Sequence, residues 1–179
     1  MKILYNTRAY LSCPMQYANS YEWAENAEKK LNELKVISLN PYKKNFVNGP
    51  NITDEIRAKL IEMKNSGDLG KYHEIMSEHR AHDLRCIDIS DFVIVRVVQG
   101  LAQWGASAET AWADFLRKPV FLEIAGGARN APDWLLATFK PEYFYSSFDE
   151  IFATLVQINE GFMQLSSEKW RLLIPEKRA

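Results

Sequence analysis

The chain has 179 residues, of which 47% are hydrophobic, so it is long enough to bury one substantial core. Its 22 basic and 23 acidic residues leave a net charge of −1, which provides no long-range field to attract nucleic acid or an anionic membrane surface. No apolar run approaches the ~18 residues of a membrane span, and the cysteines are too few for a disulfide scaffold. We therefore expect a single cytoplasmic domain over residues 1–161, with neither a nucleic-acid polymer nor a membrane as its partner.

Predicted strands and helices alternate in the first half of the sequence. Proline removes a backbone donor, so Asn40-Pro41 ends the strand that follows the first helix. Thr53 can cap the next helix, and Gly67 and Gly70 separate it from a long third helix. The predictions for this half are strands over 8–12 and 36–39 with a further candidate strand over 2–5, a loop over 42–51, and helices over about 21–34, 53–66 and 71–89.

The alternation continues in the second half. The strongest strand prediction covers 92–98, an apolar and β-branched run interrupted only by Arg96. Ser107 is a plausible cap for a helix that reaches about Leu116, and Ser147 with Glu150 forms a capping-box pattern. The residues of the first of these helices expected to face the sheet are Ala108, Ala111, Trp112 and Phe115. The other predictions are strands over 120–124 and 143–145, a loop over 126–132, a helix to about 158 that Gly161 ends, and a tail over 162–179 that packs on its own or a neighbouring subunit.

This alternation of strands and helices predicts an α/β fold of three layers, with a parallel sheet and helices on both of its faces. In such a sheet the loops beyond the carboxyl ends of the strands form the ligand crevice. Glu109 follows the strand over 92–98, so we expect its carboxylate to lie where ligands bind.

Several short motifs, taken together, resemble the nucleoside 2-deoxyribosyltransferase superfamily over about residues 8–150. Asp83 precedes Asp91 and its hydrophobic strand by eight residues. The other motifs are Tyr10-Leu-Ser-Cys-Pro-Met15, Asn40-Pro41, Gly105-Ala-Ser-Ala-Glu109 and Lys118-Pro119-Val120. The superfamily also contains nucleotide N-glycoside hydrolases. The resemblance implies a flavodoxin-like, Rossmann-like sandwich with a mainly parallel sheet of five strands.

The resemblance also implies a chemistry. It makes Glu109 the nucleophile that attacks the anomeric carbon of a nucleoside or nucleotide, and it places Asp83 opposite it to assist the leaving base. The sugar would then pass to another base. No cofactor is needed, and a homo-oligomer is expected because members of the superfamily often complete their pocket across subunits. The substrate-binding residues implied for the loop after the first strand are Tyr10, Ser12, Cys13, Pro14 and Met15.

Further candidate binding residues follow the strand over 92–98. Arg96 can pair with a carboxylate or meet a nucleotide phosphate. Trp104 can stack on a base or fill a subunit interface, and Gly105 lies next to it. Ser107 can cap the helix or contact the ligand, and backbone N–H groups at that helix start would favour an anion and keep Glu109 ionised.

Alternative functions remain open at this point. A phosphate site formed by Ser12, Arg96 or Ser107 would favour a nucleoside 5′-monophosphate hydrolase, and water rather than a base would then accept the sugar. The chain could instead be a non-catalytic nucleotide-binding module, or it could cleave the nicotinamide bond of NAD. His79 and His82 lie near Asp83, but no further ligand set of recognisable spacing follows, so we predict no metal site.

Overall fold

The computed structural model describes residues 2–15, 19–43 and 53–163 of the chain. Within these ranges it forms a five-stranded sheet and six α-helices. In chain order the elements are β1 (Arg8–Ser12), α1 (Ser20–Glu33), β2 (Ile37–Leu39), α2 (Asp54–Ser66), α3 (Leu69–Ile89), β3 (Phe92–Val97), α4 (Trp104–Phe115), β4 (Val120–Ile124), α5 (Asp133–Thr138), β5 (Phe144–Tyr145) and α6 (Phe148–Asn159).

All the strands are parallel, and their order across the sheet is β2-β1-β3-β4-β5. This is the strand order of flavodoxin-like folds, so the predicted fold class is confirmed. The order reverses between β1 and β3, where Ser12 pairs with Val95. Ligands of open α/β sheets bind in the crevice at such a switch point, so the carboxyl ends of β1 and β3 locate the site.

The two faces of the sheet carry separate hydrophobic cores. Successive side chains of a strand point to opposite faces. Phe92 and Ile94 of β3 therefore join the core under α1 and α6, whereas Val93 and Val95 join the core under α3, α4 and α5. The three predicted layers follow from this alternation.

Several predicted helix ends are confirmed. The Thr53 hydroxyl accepts a hydrogen bond from the N–H of Ile56 at the start of α2, and Gly67 ends that helix with a left-handed φ of 78°. The Ser147 hydroxyl caps α6 through the N–H of Glu150. The Glu150 carboxylate accepts from the N–H of Ser146 rather than that of Ser147, so the capping box is displaced by one residue.

Two short elements differ from the predictions. Residues 3–6 form turns where a strand over 2–5 was predicted, because the N–H of Leu4 donates to the Asn159 side chain and not to a neighbouring strand. The predicted loop after β4 contains a 3-10 turn over Gly127–Asn130 and is followed by α5, whose six residues are too few to show a helical period.

The prediction for α4 was wrong in both its start and its orientation. The helix begins at Trp104, and the N–H of Ser107 donates to the carbonyl oxygen of Gln103, so Ser107 is not its cap. The residues that face the sheet are Ala106, Glu109, Thr110 and Ala113, and those that face outward are Ala108, Ala111, Trp112 and Phe115. The more apolar face of α4 points outward, and Glu109 and Thr110 lie on the face toward the sheet, so the hydrophobic pattern indicated the wrong face. Ala106 and Ala113 on that face are small, which allows the helix to approach the sheet closely.

Some predictions lie outside the described residues. These are most of the loop over 42–51 and the tail beyond Met163, whose packing therefore stays a prediction. None of the helices in the described ranges combines the length and the apolar character needed to cross a membrane.

Candidate functional site

The candidate site centres on a hydrogen bond between β1 and α4 at the switch point of the sheet. Ser12 is the last residue of β1, and its Oγ donates to Oε2 of Glu109 over 2.6 Å. Glu109 is only 8% exposed, and Ser12 is fully buried. A carboxylate so far removed from water is costly, which makes this an unusual position for glutamate.

The environment of Glu109 raises the pKa of its carboxyl group from 4.5 to about 7. Burial is the largest cause, and the negative charge of Asp83 is the second. The hydrogen bond from Ser12, the charge of Arg80 and a hydrogen bond with Tyr10 act in the opposite direction. Glu109 therefore changes its protonation state near neutral pH, as a group that exchanges protons during a reaction should.

The predicted effect of the helix start on Glu109 was wrong. Glu109 lies in the second turn of α4, and the favourable field of a helix N-terminus fades within the first turn. The N–H of Ser107, which was expected to be available to an anion, is already bonded to Gln103. Desolvation decides the charge state of Glu109, and it favours the neutral form.

The helix α3 brings a second carboxyl group to the site. Asp83 lies on α3, which packs beside α4, and its charge acts on both Glu109 and Tyr10. Tyr10 is 1% exposed, and burial, followed by the charges of Glu109 and Asp83, raises the pKa of its hydroxyl well above the usual value. Tyr10 thus stays protonated beneath the two carboxyl groups. The arrangement offers two interacting acids and two hydroxyl donors in one buried cluster.

The loop after β1 contributes backbone more than reactive side chains. Cys13 points into the core under α1, where burial, and then the charge of Glu109, raise the pKa of its thiol to about 12. A thiol in that state is a poor nucleophile. Pro14 and Met15 are half-buried, and the carbonyl oxygen of Met15 accepts a hydrogen bond from Nη1 of Arg57 over 3.2 Å.

Arg96 lies on the opposite face of the sheet from Glu109. Its Nε is 3.9 Å from Oε1 of Glu123, and its guanidinium stacks over the Trp23 ring at 5.8 Å. The Trp23 indole N–H donates to the other carboxylate oxygen of Glu123 over 2.6 Å, and Nη1 of Arg96 donates to the carbonyl oxygen of Asn19. Of the two partners predicted for Arg96, the structure supplies the carboxylate.

Sequence reasoning missed Trp23 and Glu123. A usable signal was present, because Arg96 and Glu123 interrupt two apolar strands and are direct partners in the register of β3 and β4.

The three residues proposed for a phosphate site, Ser12, Arg96 and Ser107, do not converge. Ser12 donates to Glu109, Arg96 pairs with Glu123, and Ser107 lies elsewhere on α4.

A cavity of about 150 Å³ lies beside the carboxyl cluster around Glu109, on the side of α4 that faces α5. Ser107 lines it, together with residues that the sequence did not single out, among them Gln103, Thr110, Trp134 and Leu135. Neither Ser12 nor Glu109 lines it, so the cavity is a neighbour of the carboxyl pair and not its pocket. Trp104 is 84% exposed and, like Gly105, lies outside the cavity.

Comparison with known proteins does not indicate a function for this site. No protein-family model and no curated protein matches the chain. Among the described residues, no three His, Cys, Asp or Glu side chains come together as a metal ion would require, although His79 is buried on α3 near the site. The geometry of the carboxyl cluster is therefore the basis for a functional proposal.

Proposed function

We propose that the chain cleaves the N-glycosidic bond of a nucleoside or nucleotide and transfers the sugar to another base, as its resemblance to the nucleoside 2-deoxyribosyltransferase superfamily implies. The observation that carries this proposal is the buried Glu109 carboxyl, bonded to Ser12 and coupled to Asp83 at the switch point of the sheet. Enzymes that break glycosidic bonds with a covalent intermediate use two neighbouring carboxyl groups in this way.

In the proposed reaction the two carboxyl groups share one proton, which Asp83 holds while the ionised Glu109 attacks the anomeric carbon. One of its oxygens forms a bond to that carbon as the bond to the base nitrogen breaks, and Asp83 donates a proton to the leaving base. A second base then attacks the same carbon, the glycosyl ester breaks, and Glu109 leaves as a carboxylate, while the Asp83 carboxylate takes the proton that the attacking nitrogen loses. Water in place of the second base would give hydrolysis.

The neighbouring hydroxyl groups suit these roles. Ser12 donates to Oε2 of Glu109, which helps to fix the orientation of the carboxylate. Tyr10 bonds to the same carboxyl group from beneath. Burial strengthens the charge interactions that develop during the reaction, because little water remains to screen them.

The test is chromatographic detection of base release and base exchange. The purified protein is incubated with deoxynucleosides, ribonucleosides and their monophosphates, each with and without an acceptor base. We expect turnover that disappears in Glu109→Gln. Glu123→Gln is the matched control, because Glu123 is also a partly desolvated glutamate at the carboxyl ends of the strands but lies on the other face of the sheet.

Each result has a defined meaning. Turnover that needs an acceptor base supports transfer, whereas release of the base into buffer alone supports hydrolysis. Equal activity in the wild type and Glu109→Gln would refute the role of Glu109. Equal stabilisation of the wild type and Glu109→Ala by a nucleotide, with no base released by either protein, would indicate a binding module instead of an enzyme.

A further inference from the structure

The outer face of α4 carries an exposed aromatic stripe. Trp104 is 84% exposed, Phe115 is 76% exposed and Trp112 is 38% exposed. Ala108 and Ala111 lie between them on the same face, so five residues of one helix form a continuous apolar surface about 100° wide. We call these five residues the α4 stripe. None of them carries a charge.

Two of the aromatic rings are already arranged as a rigid surface. The rings of Trp112 and Phe115 stack at 5.7 Å with an angle of 22° between their planes. The indole N–H of Trp112 donates to Oδ1 of Asp88 on α3 over 3.1 Å, which holds the pair in place. Such preorganised aromatic side chains are typical of the residues that contribute most to binding energy, since little side-chain freedom is lost on association.

The size of the stripe fits the centre of a protein interface. Three aromatic side chains with these exposures present on the order of 400 Å² to solvent. A standard interface buries ~800 Å² on each partner, with an apolar centre and a polar rim. The exposed charged residues Arg85 and Asp88 of α3, the helix that packs beside α4, can supply part of that rim.

Four of the five stripe residues are arranged symmetrically along the helix. Positions 104 and 115, and positions 108 and 111, are symmetric about the midpoint of the helix. A two-fold axis through that midpoint would run a second α4 antiparallel to the first, with Trp104 on Phe115 at both ends and Ala108 beside Ala111 at the centre. A two-fold interface requires this self-complementarity, and the small central residues allow the two helices to approach closely.

We propose that the α4 stripe is the contact surface of a homodimer in which two α4 helices pack antiparallel across a two-fold axis. Of the two roles that the sequence left open for Trp104, this assigns the subunit interface. Trp104 lies on the opposite side of α4 from Ser12 and the sheet, so the proposal is independent of the N-glycosidic chemistry.

The first test is the mass of the full chain by sedimentation at micromolar concentration. We expect twice the 20.7 kDa of one chain. Trp104→Glu should weaken the dimer at least ~30-fold, because loss of one aromatic residue that contributes strongly to binding is typically worth that factor and the substitution occurs twice in the dimer. Ile61→Glu on α2 is the matched control and should leave the dimer intact, since Ile61 is 62% exposed but lies outside the stripe.

The second test checks the antiparallel arrangement. Trp104→Glu and Phe115→Lys should each be monomeric alone, and mixing them should restore a dimer because the new glutamate meets the new lysine while the other end keeps its aromatic pair. A parallel arrangement gives no such recovery. The proposal is overturned by a monomeric wild type, by a dimer that Trp104→Glu leaves unchanged, or by a mixture that stays monomeric. A monomer whose Trp104 is protected from oxidative footprinting would also overturn it, and would assign the stripe to the residues beyond Met163.

Discussion

Replacing Glu109 with glutamine should stabilise the protein, and the gain should depend on pH. The pKa of Glu109 is 4.5 when it is free of perturbation and about 7 in the fold. A raised pKa means that the folded state binds a proton more tightly than the unfolded state. The contribution of this group to stability is therefore complete below pH 4.5 and is lost as the pH rises through 7.

The size of the effect follows from the same shift. Each pKa unit corresponds to 1.36 kcal/mol, so ionised Glu109 destabilises the fold by about 3 kcal/mol above pH 7. Glutamine has the shape of the protonated side chain and still accepts the hydrogen bond from Ser12, but it never ionises. We expect the free energy of unfolding of Glu109→Gln to equal that of the wild type at pH 4 and to exceed it by about 3 kcal/mol at pH 8.

Urea denaturation at the two pH values measures this difference, and the slope of the transition verifies that both proteins unfold alike. Glu25→Gln serves as a control of opposite sign, because hydrogen bonds from Lys43 and Tyr21 lower the pKa of Glu25. That variant should lose stability at pH 8 and match the wild type at low pH. A stability difference for Glu109→Gln that is the same at both pH values would refute the argument from burial.

Three further predictions test single contacts. Ser12→Ala removes a charge-assisted hydrogen bond of ~1.5–3 kcal/mol, so the pKa of Glu109 should rise by ~1–2 units, and the pH profile of stability or of base release should move accordingly. An unchanged profile would contradict the bond. Trp23→Phe deprives the half-buried Glu123 of its indole donor and should lower the free energy of unfolding, measured by urea denaturation, by ~1–3 kcal/mol. An unchanged free energy of unfolding would show that this hydrogen bond does not stabilise the fold. Cys13, with a thiol pKa of about 12, should resist iodoacetamide at pH 8 in the folded protein and react after unfolding, and rapid labelling of the native state would show that the thiol is accessible.

The sequence predicted the architecture well because the strands carry strong local signals. The run over Phe92–Val97 is apolar and β-branched, and turn residues separate it from the helices on either side. Parallel pairing and a central position follow from burial on both faces. Short elements such as α5 gave no signal, since six residues do not establish a period.

The site was predictable in part. Ser12 and Glu109 are 97 residues apart, and only the family resemblance placed both near the substrate. The pKa of Glu109 was predicted in the wrong direction because the sequence shows a helix start but does not show how completely the carboxyl group is buried. Which apolar face of α4 meets the sheet, and which partner Arg96 finds across β3 and β4, depend on packing and strand register, and those are properties of the whole fold.

The central claim is that Glu109 forms a covalent bond to a sugar. Mass spectrometry of the protein, quenched with acid during turnover of a substrate found in the chromatographic screen, tests it most directly. The account predicts a glycosyl adduct on the peptide that contains Glu109, absent in Glu109→Gln and diminished by an acceptor base. Base release with Glu109 unmodified throughout turnover, or an adduct on a different residue, would contradict it.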